Sequence, residues 1–322
     1  MIKLLADSTC DLSDEILEKY NITMVPLYVT IEGKTYKDRV DIEPDYLYGI
    51  IEEVEGDIKT ANPSPEDFCS SYKDAIKEGY DEIICICMSS GTSGSYQSAE
   101  IGRNVLFEEN PDLEAKIRVI DSVSMSHGSG WLIMKSAQLI ESGLSYEEIV
   151  DFVEMYKYNV KHYLYVDDLD HLIKSGRLSN ASALIGKILN IKPIMTMKNK
   201  KGAIVAKERG RKRVLNYYVR EFKERVDLKA TNFIIVGYTS DKNAVENLKN
   251  KILKETDFKG EIHIMQMGVS VGTHVGLGGV SMYFIEKDHI KDGLMKNEIK
   301  LLRERKDEMM NKIKQYQKKS DR

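Results

Sequence analysis

No stretch of this chain approaches the roughly 18 consecutive apolar residues that cross a bilayer. Residues 1–8 carry no long apolar run of the kind found in a secretory leader. Positive charge is not in excess either: 47 Lys and Arg against 51 Asp and Glu leave a net charge of −4, without the basic footprint of a nucleic-acid binder. Cysteine is scarce. Of Cys10, Cys69, Cys85 and Cys87, the last two share one face of a strand, which suits core packing better than a metal site. No metal is expected, and the expected setting is reducing and cytoplasmic. No G-x-x-x-x-G-K-[ST] run occurs and no aspartate pair is placed for magnesium, which argues against a phosphate loop or a kinase. What is left, 42% hydrophobic and 30% charged over 322 residues, is an ordinary globular chain long enough for two domains.

The most informative stretch is Ser89-Ser90-Gly91-Thr92-Ser93-Gly94-Ser95. It follows the apolar run 82–88, which reads as a buried strand, and precedes a helical period at Ala99, Ile101, Val105 and Leu106. Five hydroxyls and two glycines therefore occupy one strand-to-helix turn. Such a turn aims backbone N–H groups and hydroxyls at one point, where a negative group is favoured. Phosphate and carboxylate both fit.

Residues 2–6 read as a first strand with Asp7-Ser8-Thr9 at its carboxyl end, where open α/β sheets bind ligands. Ser8 and Thr9 are thus candidate site residues, with an Asx turn and helix cap as the plainer alternative. Ser13 is expected to cap the next helix. Val25, Leu27, Val29 and Ile31 alternate up to a turn at Glu32-Gly33-Lys34, which predicts an inserted hairpin over 24–36. Ser64-Pro65 is a helix start. Thr60, with no capping task in its Pro-flanked loop, is free to face a ligand. A third strand at 116–120 leads to a helix at about 127–142, whose Gly128 and Gly130 predict close backbone packing. Three strand–turn–helix units imply a mostly parallel sheet. A helix over 146–158 closes an N-terminal α/β domain, 1–158, with the hairpin inserted.

A second α/β domain, 159–286, is expected to hold strands at 163–166, from 191, at 231–238 and at 261–267, and helices at 168–174, 178–189 and 241–256. His274 lies in a glycine-dense loop, 268–279, which exposes it to ligand more than most histidines. Residues 287–322 form an extra helix. Ile299, Leu302, Lys306, Met309, Ile313 and Tyr316 fall at heptad spacing on a basic background. Such a helix suits a monomer in which it lies along the body, a weak dimer, or transient contact with an anionic membrane surface.

The hydroxyl-rich turn admits three chemistries. Gly91-Thr92-Ser93-Gly94-Ser95 approaches a serine hydrolase elbow, with His274 as base, but ends on serine instead of glycine. Phosphate binding lacks its lysine. A carrier would hold a carboxylate in the turn and an apolar body behind it.

Here the residues resemble a family. Asp7-Ser8-Thr9-Cys10-Asp11-Leu12, Thr60-Ala61-Asn62-Pro63-Ser64-Pro65, Ser93-Gly94-Ser95-Tyr96-Gln97-Ser98-Ala99, Gly176-Arg177 with Ile191-Lys192-Pro193-Ile194, and His274-Val275-Gly276-Leu277-Gly278 occur in order between residues 2 and about 285. Together they resemble the DegV family of bacterial fatty-acid-binding proteins. The resemblance implies a long-chain fatty acid in a tunnel at the domain cleft, with its carboxylate held by Thr60, Ser93 and His274 and with Arg177 nearby. Ser95 and Thr92 fall in the same motif. It also implies no cofactor beyond the bound acid, no enzymatic activity of the chain's own, and a fatty acid kinase that phosphorylates the held acid. That kinase would dock on 207–213 through Arg209, with Arg211 and Arg213 beside it. Four departures stand out: Ala61 for a hydroxyl residue, Ser95 for threonine, Thr92 for leucine and Leu277 for proline. The change at Ala61 is expected to remove one carboxylate donor. A carrier of another amphipathic carboxylate is the nearest alternative.

Overall fold

A computed structural model describes residues 1–179, 191–287 and 296–320, with side chains of the last helix from residue 304 to 318. The first half runs β1 (Ile2–Asp7), α1 (Asp14–Lys19), β2 (Thr23–Val25), β3 (Tyr28–Ile31), β4 (Lys34–Lys37), α2 (Pro44–Ile50), β5 (Lys59–Ala61), α3 (Pro65–Lys77), β6 (Glu82–Cys87), α4 (Ser95–Glu109), β7 (Lys116–Asp121), α5 (His127–Glu141) and α6 (Tyr146–Tyr156). The second runs β8 (Val160–Tyr165), α7 (Asp170–Lys174), β9 (Ile191–Lys198), β10 (Lys201–Arg209), α8 (Arg211–Arg225), β11 (Phe233–Tyr238), α9 (Lys242–Glu255), β12 (Glu261–Gln266), α10 (Val269–Val275) and β13 (Val280–Ile285), then α11 (Lys296–Ser320).

Strands β2-β1-β6-β7 form a parallel sheet, as the alternating pattern predicts. From Ile83 on, β6 is apolar on both faces because helices cover both, whereas the other inner strand, β1, buries Lys3 and Asp7 with hydrogen-bond partners. On β6, Ile84 and Ile86 face α5, whereas Ile83, Cys85 and Cys87 face Phe68 and Tyr72 of α3 and Ala99 and Leu106 of α4. The cysteines are free and buried. The second sheet, β10-β9-β8-β13-β11-β12, is mixed and alternates the same way: Phe233 and Ile235 of β11 face α5, while Ile234 and Val236 face α8 and α9.

Helix α5 is consequently the layer between the two sheets. It is enclosed all round: of its residues only Gln138, Ile140 and Glu141 escape full burial. Among its buried polar groups, Lys135 Nζ donates to Asn232 Oδ1 at 2.7 Å and Ser136 Oγ to the Leu132 carbonyl at 2.8 Å. Its two early glycines each admit one sheet. A Cβ on Gly130 would lie 2.4 Å from the Cys10 carbonyl, and one on Gly128 would lie 2.1 Å from His162 Nε2 of β8.

Several expectations are corrected. The alternating run at 24–36 splits: Val25 joins the parallel sheet through β2, and only β3 and β4 form the hairpin. Ser13 stands at the N-cap of α1 but makes no side-chain cap bond, whereas Ser64 closes a capping box with Asp67. Strands β10 and β13 and helices α2 and α8 were not foreseen. The helical stretch expected over 178–189 falls almost wholly outside the described residues. The tail does form a helix, and it lies along the body: Met309, Met310 and Ile313 are buried in the same core as Phe152 of α6, and Lys312 pairs with Glu148 at 2.5 Å. The side chains of Ile299 and Leu302 lie outside the described residues. No helix among the described residues is long and apolar enough to cross a membrane.

Candidate functional site

Beyond the start of α5 the two sheets are not filled, and a cavity of about 430 Å³ opens at the carboxyl ends of β1 and β6. Thr9, Met88, the turn from Ser90 to Gly94, Met125 and Ser126 line it from the first half; Leu164, Leu172, Arg177, Met195, Val271 and His274 line it from the second. Its walls are mostly apolar, and Met88, Met125, Met195, Met197 and Met267 supply flexible, polarisable surface that adapts to an irregular apolar occupant. Polar groups, among them Asn62, Gln97, Ser126 and Ser270, interrupt those walls and can orient a head group beside an apolar body.

Thr60, Ser93, Arg177 and His274 all line this one cavity although they span more than 200 residues of sequence. Thr60 is not in a loop. It belongs to β5, the third strand of a small antiparallel sheet, opposite Val29. Strand alternation turns Thr60 inward and leaves Ala61 exposed and off the cavity wall, so alanine at that position removes no donor from it. His274 is likewise not in a loop but in the last turn of α10, where Nε2 lies 2.8 Å from Thr60 Oγ1. Ser93 approaches the same region because Gly94 packs on Asn62, two residues after Thr60; a Cβ on Gly94 would lie 2.9 Å from Asn62 Oδ1.

Of the remaining candidates, Thr92 and Thr9 line the cavity, but Thr92 Oγ1 donates to the Ser89 carbonyl at 2.9 Å and Thr9 Oγ1 donates to Asp7. Ser95 and Ser8 do not line it. Ser95 is buried behind Ser93, with their hydroxyls 3.0 Å apart, and Ser8 donates to Asp38 at 2.7 Å. Asp7 makes the plainer structure, its Oδ1 accepting from Thr9 N–H at 3.1 Å as the cap of a short 3-10 turn.

Burial, reinforced by Arg177 and His171, lowers the His274 pKa to about 4. The ring is therefore neutral near pH 7 and donates one hydrogen bond. Because its native pKa lies below the unfolded value near 6.5, His274 destabilises the fold progressively as pH falls from about 6.5 toward 4, where the unfolded chain binds the proton that the buried ring does not, and this loss is absent above pH 6.5. A bound carboxylate favours the imidazolium and opposes the shift. In ligand-free protein the His274 Cε1–H resonance is expected to titrate with a midpoint near 4 and to move upward on loading with a fatty acid; a midpoint that does not respond to loading would remove His274 from the head-group site.

Two features escaped the sequence. Lys200, in the turn between β9 and β10, accepts from Ser89 Oγ at 2.8 Å through its carbonyl, and its Nζ donates to Ser90 Oγ at 3.0 Å and Asp121 Oδ2 at 2.8 Å. The second sheet thus clasps the hydroxyl-rich turn. A lysine in a hairpin turn carries no signal of such a contact. Arg209, Arg211 and Arg213 are exposed around the end of β10, but Arg211 donates to Asp167 at 2.5 Å and to Asp241 at 2.6 Å. Among the described residues no group of His, Cys, Asp and Glu is gathered as for a metal ion.

Two layered α/β domains enclosing an amphipathic cavity define a binding protein of the two-sheet kind. The chain belongs to the DegV family: a family model described as an uncharacterised protein of the DegV family matches residues 1–287. A DegV domain-containing protein of Clostridium acetobutylicum is 35% identical over 286 residues, covering 89% of this chain and 99% of the relative. Among solved structures, a fatty-acid-binding DegV family protein from Thermus thermophilus superposes with a TM-score of 0.79 at 28% identity, covering 89% of this chain and 99% of that one. The fatty acid kinase B3 protein of Streptococcus pneumoniae, loaded with linoleic acid, gives 0.76 at 25% identity, covering 89% and 100%. Helix α11 lies beyond the matched residues.

Proposed function

We infer that the chain binds one long-chain fatty acid in this cavity and presents its carboxylate to a fatty acid kinase, which forms the acyl phosphate while the chain holds the acid. The observation that carries this reading is the convergence of Thr60, Ser93, Arg177 and His274 on one cavity whose wall is mostly apolar surface, much of it from leucine and methionine. Each buried methylene contributes about 0.8 kcal/mol to retention. That term is non-directional, so orientation falls to the head group, whose buried charge is tolerable only with several hydrogen bonds. Hydroxyls and a neutral imidazole supply them without the bidentate grip of an arginine clamp, and they leave carboxylate oxygen free to attack a phosphoryl donor. The fatty acids bound in the Thermus and Streptococcus proteins support the ligand class, and the Streptococcus protein's name supports the kinase.

The hydrolase alternative needs a serine bonded to a histidine. Ser93 instead neighbours Ser95, and His274 neighbours Thr60. We take 1–158 and 159–286 as the two bodies that flank the tunnel, and the cytoplasm, where nucleoside triphosphates are available, as its location. The stripe Met309, Met310 and Ile313 is already spent on the chain's own core, which favours a monomer over pairing through α11.

Native mass spectrometry of the purified chain, followed by denaturing extraction, tests the ligand class. A stoichiometric mass excess resolving into fatty acids is expected. A clean mass that also takes up no oleate on titration would overturn the reading. For the partner, Arg209→Ala and Arg213→Ala are expected to leave oleate affinity unchanged and to reduce acyl phosphate formation by an added fatty acid kinase. A loss of oleate affinity in either variant would contradict a docking role. Arg211→Ala is a poorer probe, because it also breaks the ion pairs with Asp167 and Asp241.

A further inference from the structure

Helix α10 carries His274 but is not capped by its own chain segment. The residue before it is Gly268, which has no side chain to offer. The amides of Gly268 and of the first helical residue, Val269, are held instead by acidic side chains from the far end of the sequence: Gly268 N–H donates to Asp11 Oδ1 at 2.8 Å, and Val269 N–H donates to Asp38 Oδ1 at 3.0 Å. The second oxygen of each carboxylate is also engaged, Asp11 Oδ2 by Ser126 Oγ at 2.5 Å and Asp38 Oδ2 by Ser8 Oγ at 2.7 Å. All four side chains are buried, none more than 3% exposed. On the flank of the helix, Tyr48 Oη donates to the Met267 carbonyl at 2.8 Å.

Burying two neighbouring acidic side chains costs far more than a serine cap would, and that burial raises the pKa of both. The arrangement has a consequence that a local cap would lack. The start of α10 is referenced to the turns after β1 and β4, on the body that also carries Thr60 and Ser93. His274 follows Gly268 by less than two helical turns, so where Asp11 and Asp38 hold the amides decides where Nε2 falls. The geometry points to Asp11 and Asp38 as positioning residues of the head-group site: they hold α10 so that His274 meets Thr60 and a carboxylate bound beside it. This rests on the fatty acid reading of the cavity.

Gly268 is part of the device, because a Cβ there would lie 2.7 Å from Asp11 Oδ1 and would push the helix off its acceptor. Burial raises the Asp11 pKa to about 8 against the opposing bonds from Ser126 and Gly268, so the neutral acid is populated near pH 7 and asparagine reproduces its shape.

The test is oleate titration of the delipidated full chain. Asp11→Ala and Gly268→Ala are each expected to weaken oleate binding roughly 5- to 30-fold, the size of one lost hydrogen bond. Asp11→Asn, which keeps the Oδ1 acceptor, is expected to restore affinity to within about threefold of the parent. In a His274→Ala background the same substitutions should cost less than about twofold, since the group they position is gone. Parent-like affinity in Asp11→Ala and Gly268→Ala overturns the positioning role, and so does a loss that persists undiminished without His274, which would mark a general structural effect. A parent chain that binds no oleate sinks the head-group reading instead. The clamp is then judged on the ligand-free His274 midpoint, expected to rise from about 4 toward the free-imidazole range in Gly268→Ala, and an unmoved midpoint overturns it.

Discussion

Replacing His274 by alanine is expected to weaken long-chain fatty acid binding by roughly 1–3 kcal/mol, about 5- to 150-fold in Kd, with little change in thermal stability. A bond to a charged group is worth more than one between neutral groups, and a buried carboxylate deprived of a donor bears the desolvation that the donor had offset. The ring is already neutral without ligand, so its removal uncovers no charge and leaves only Thr60 Oγ1 without its 2.8 Å neighbour. Ser93→Ala should cost a similar amount of affinity but by a divided route. Ser93 Oγ also accepts the Ser95 N–H at 3.2 Å, and Gly94 offers α4 no side-chain cap, so this variant should melt earlier as well. Calorimetric titration beside thermal melting separates the two. Overlaid titrations for both variants and the parent would sink the head-group assignment.

The contrast between these variants marks what sequence could and could not carry. The parallel sheet was legible because strands buried on both faces become unbroken apolar runs, as on β6. The hydroxyl-rich turn showed itself by its own five hydroxyls and two glycines before a helix, and the rule that ligands gather beyond carboxyl ends added Ser8 and Thr9, of which only Thr9 lines the cavity. Strand β5 was not legible: Lys59-Thr60-Ala61 is too short and too polar to show a period, and it exists because β3 lends it a partner. Helix α10 was hidden by Gly268 and Gly272, which read as loop until Tyr48 and the Asp11–Asp38 pair are packed against them. Strand β10 resembles a charged linker because it is an edge strand, whose exposed residues are Lys201, Lys207 and Arg209 with a single apolar one, Val205. The grouping of Thr60, Ser93 and His274 came from family resemblance. Local pattern cannot pair residues tens to hundreds of positions apart, and it missed Lys200 and the Arg211 ion pairs for the same reason.

The largest effect on stability is expected at Trp131, the chain's single tryptophan, where substitution by alanine should cost about 3–5 kcal/mol. Its side chain is fully buried in α5, stacked on Phe233 with ring centroids 4.9 Å apart, and its Nε1–H donates to the Phe233 carbonyl of β11 at 3.1 Å. Truncation at an ordinary core site is softened when neighbours relax into the space. Here the neighbours are two sheets whose spacing is set within one helical turn of Trp131, by Gly130 against the Cys10 carbonyl on one side and Gly128 against His162 on the other, so little collapse is available. Trp131→Phe keeps most of the volume and loses the hydrogen bond, and about 1 kcal/mol is expected. Urea unfolding followed by circular dichroism measures both variants, since the fluorophore itself is removed. A cost below 1 kcal/mol for Trp131→Ala would mean that the sheets close on the gap and that α5 does not set their separation. The turn leading into that helix supplies Met125 and Ser126 to the cavity wall, so a change in the spacing should also reach the ligand. Trp131→Ala that remains folded is therefore expected to lose oleate affinity although it touches no part of the head-group site.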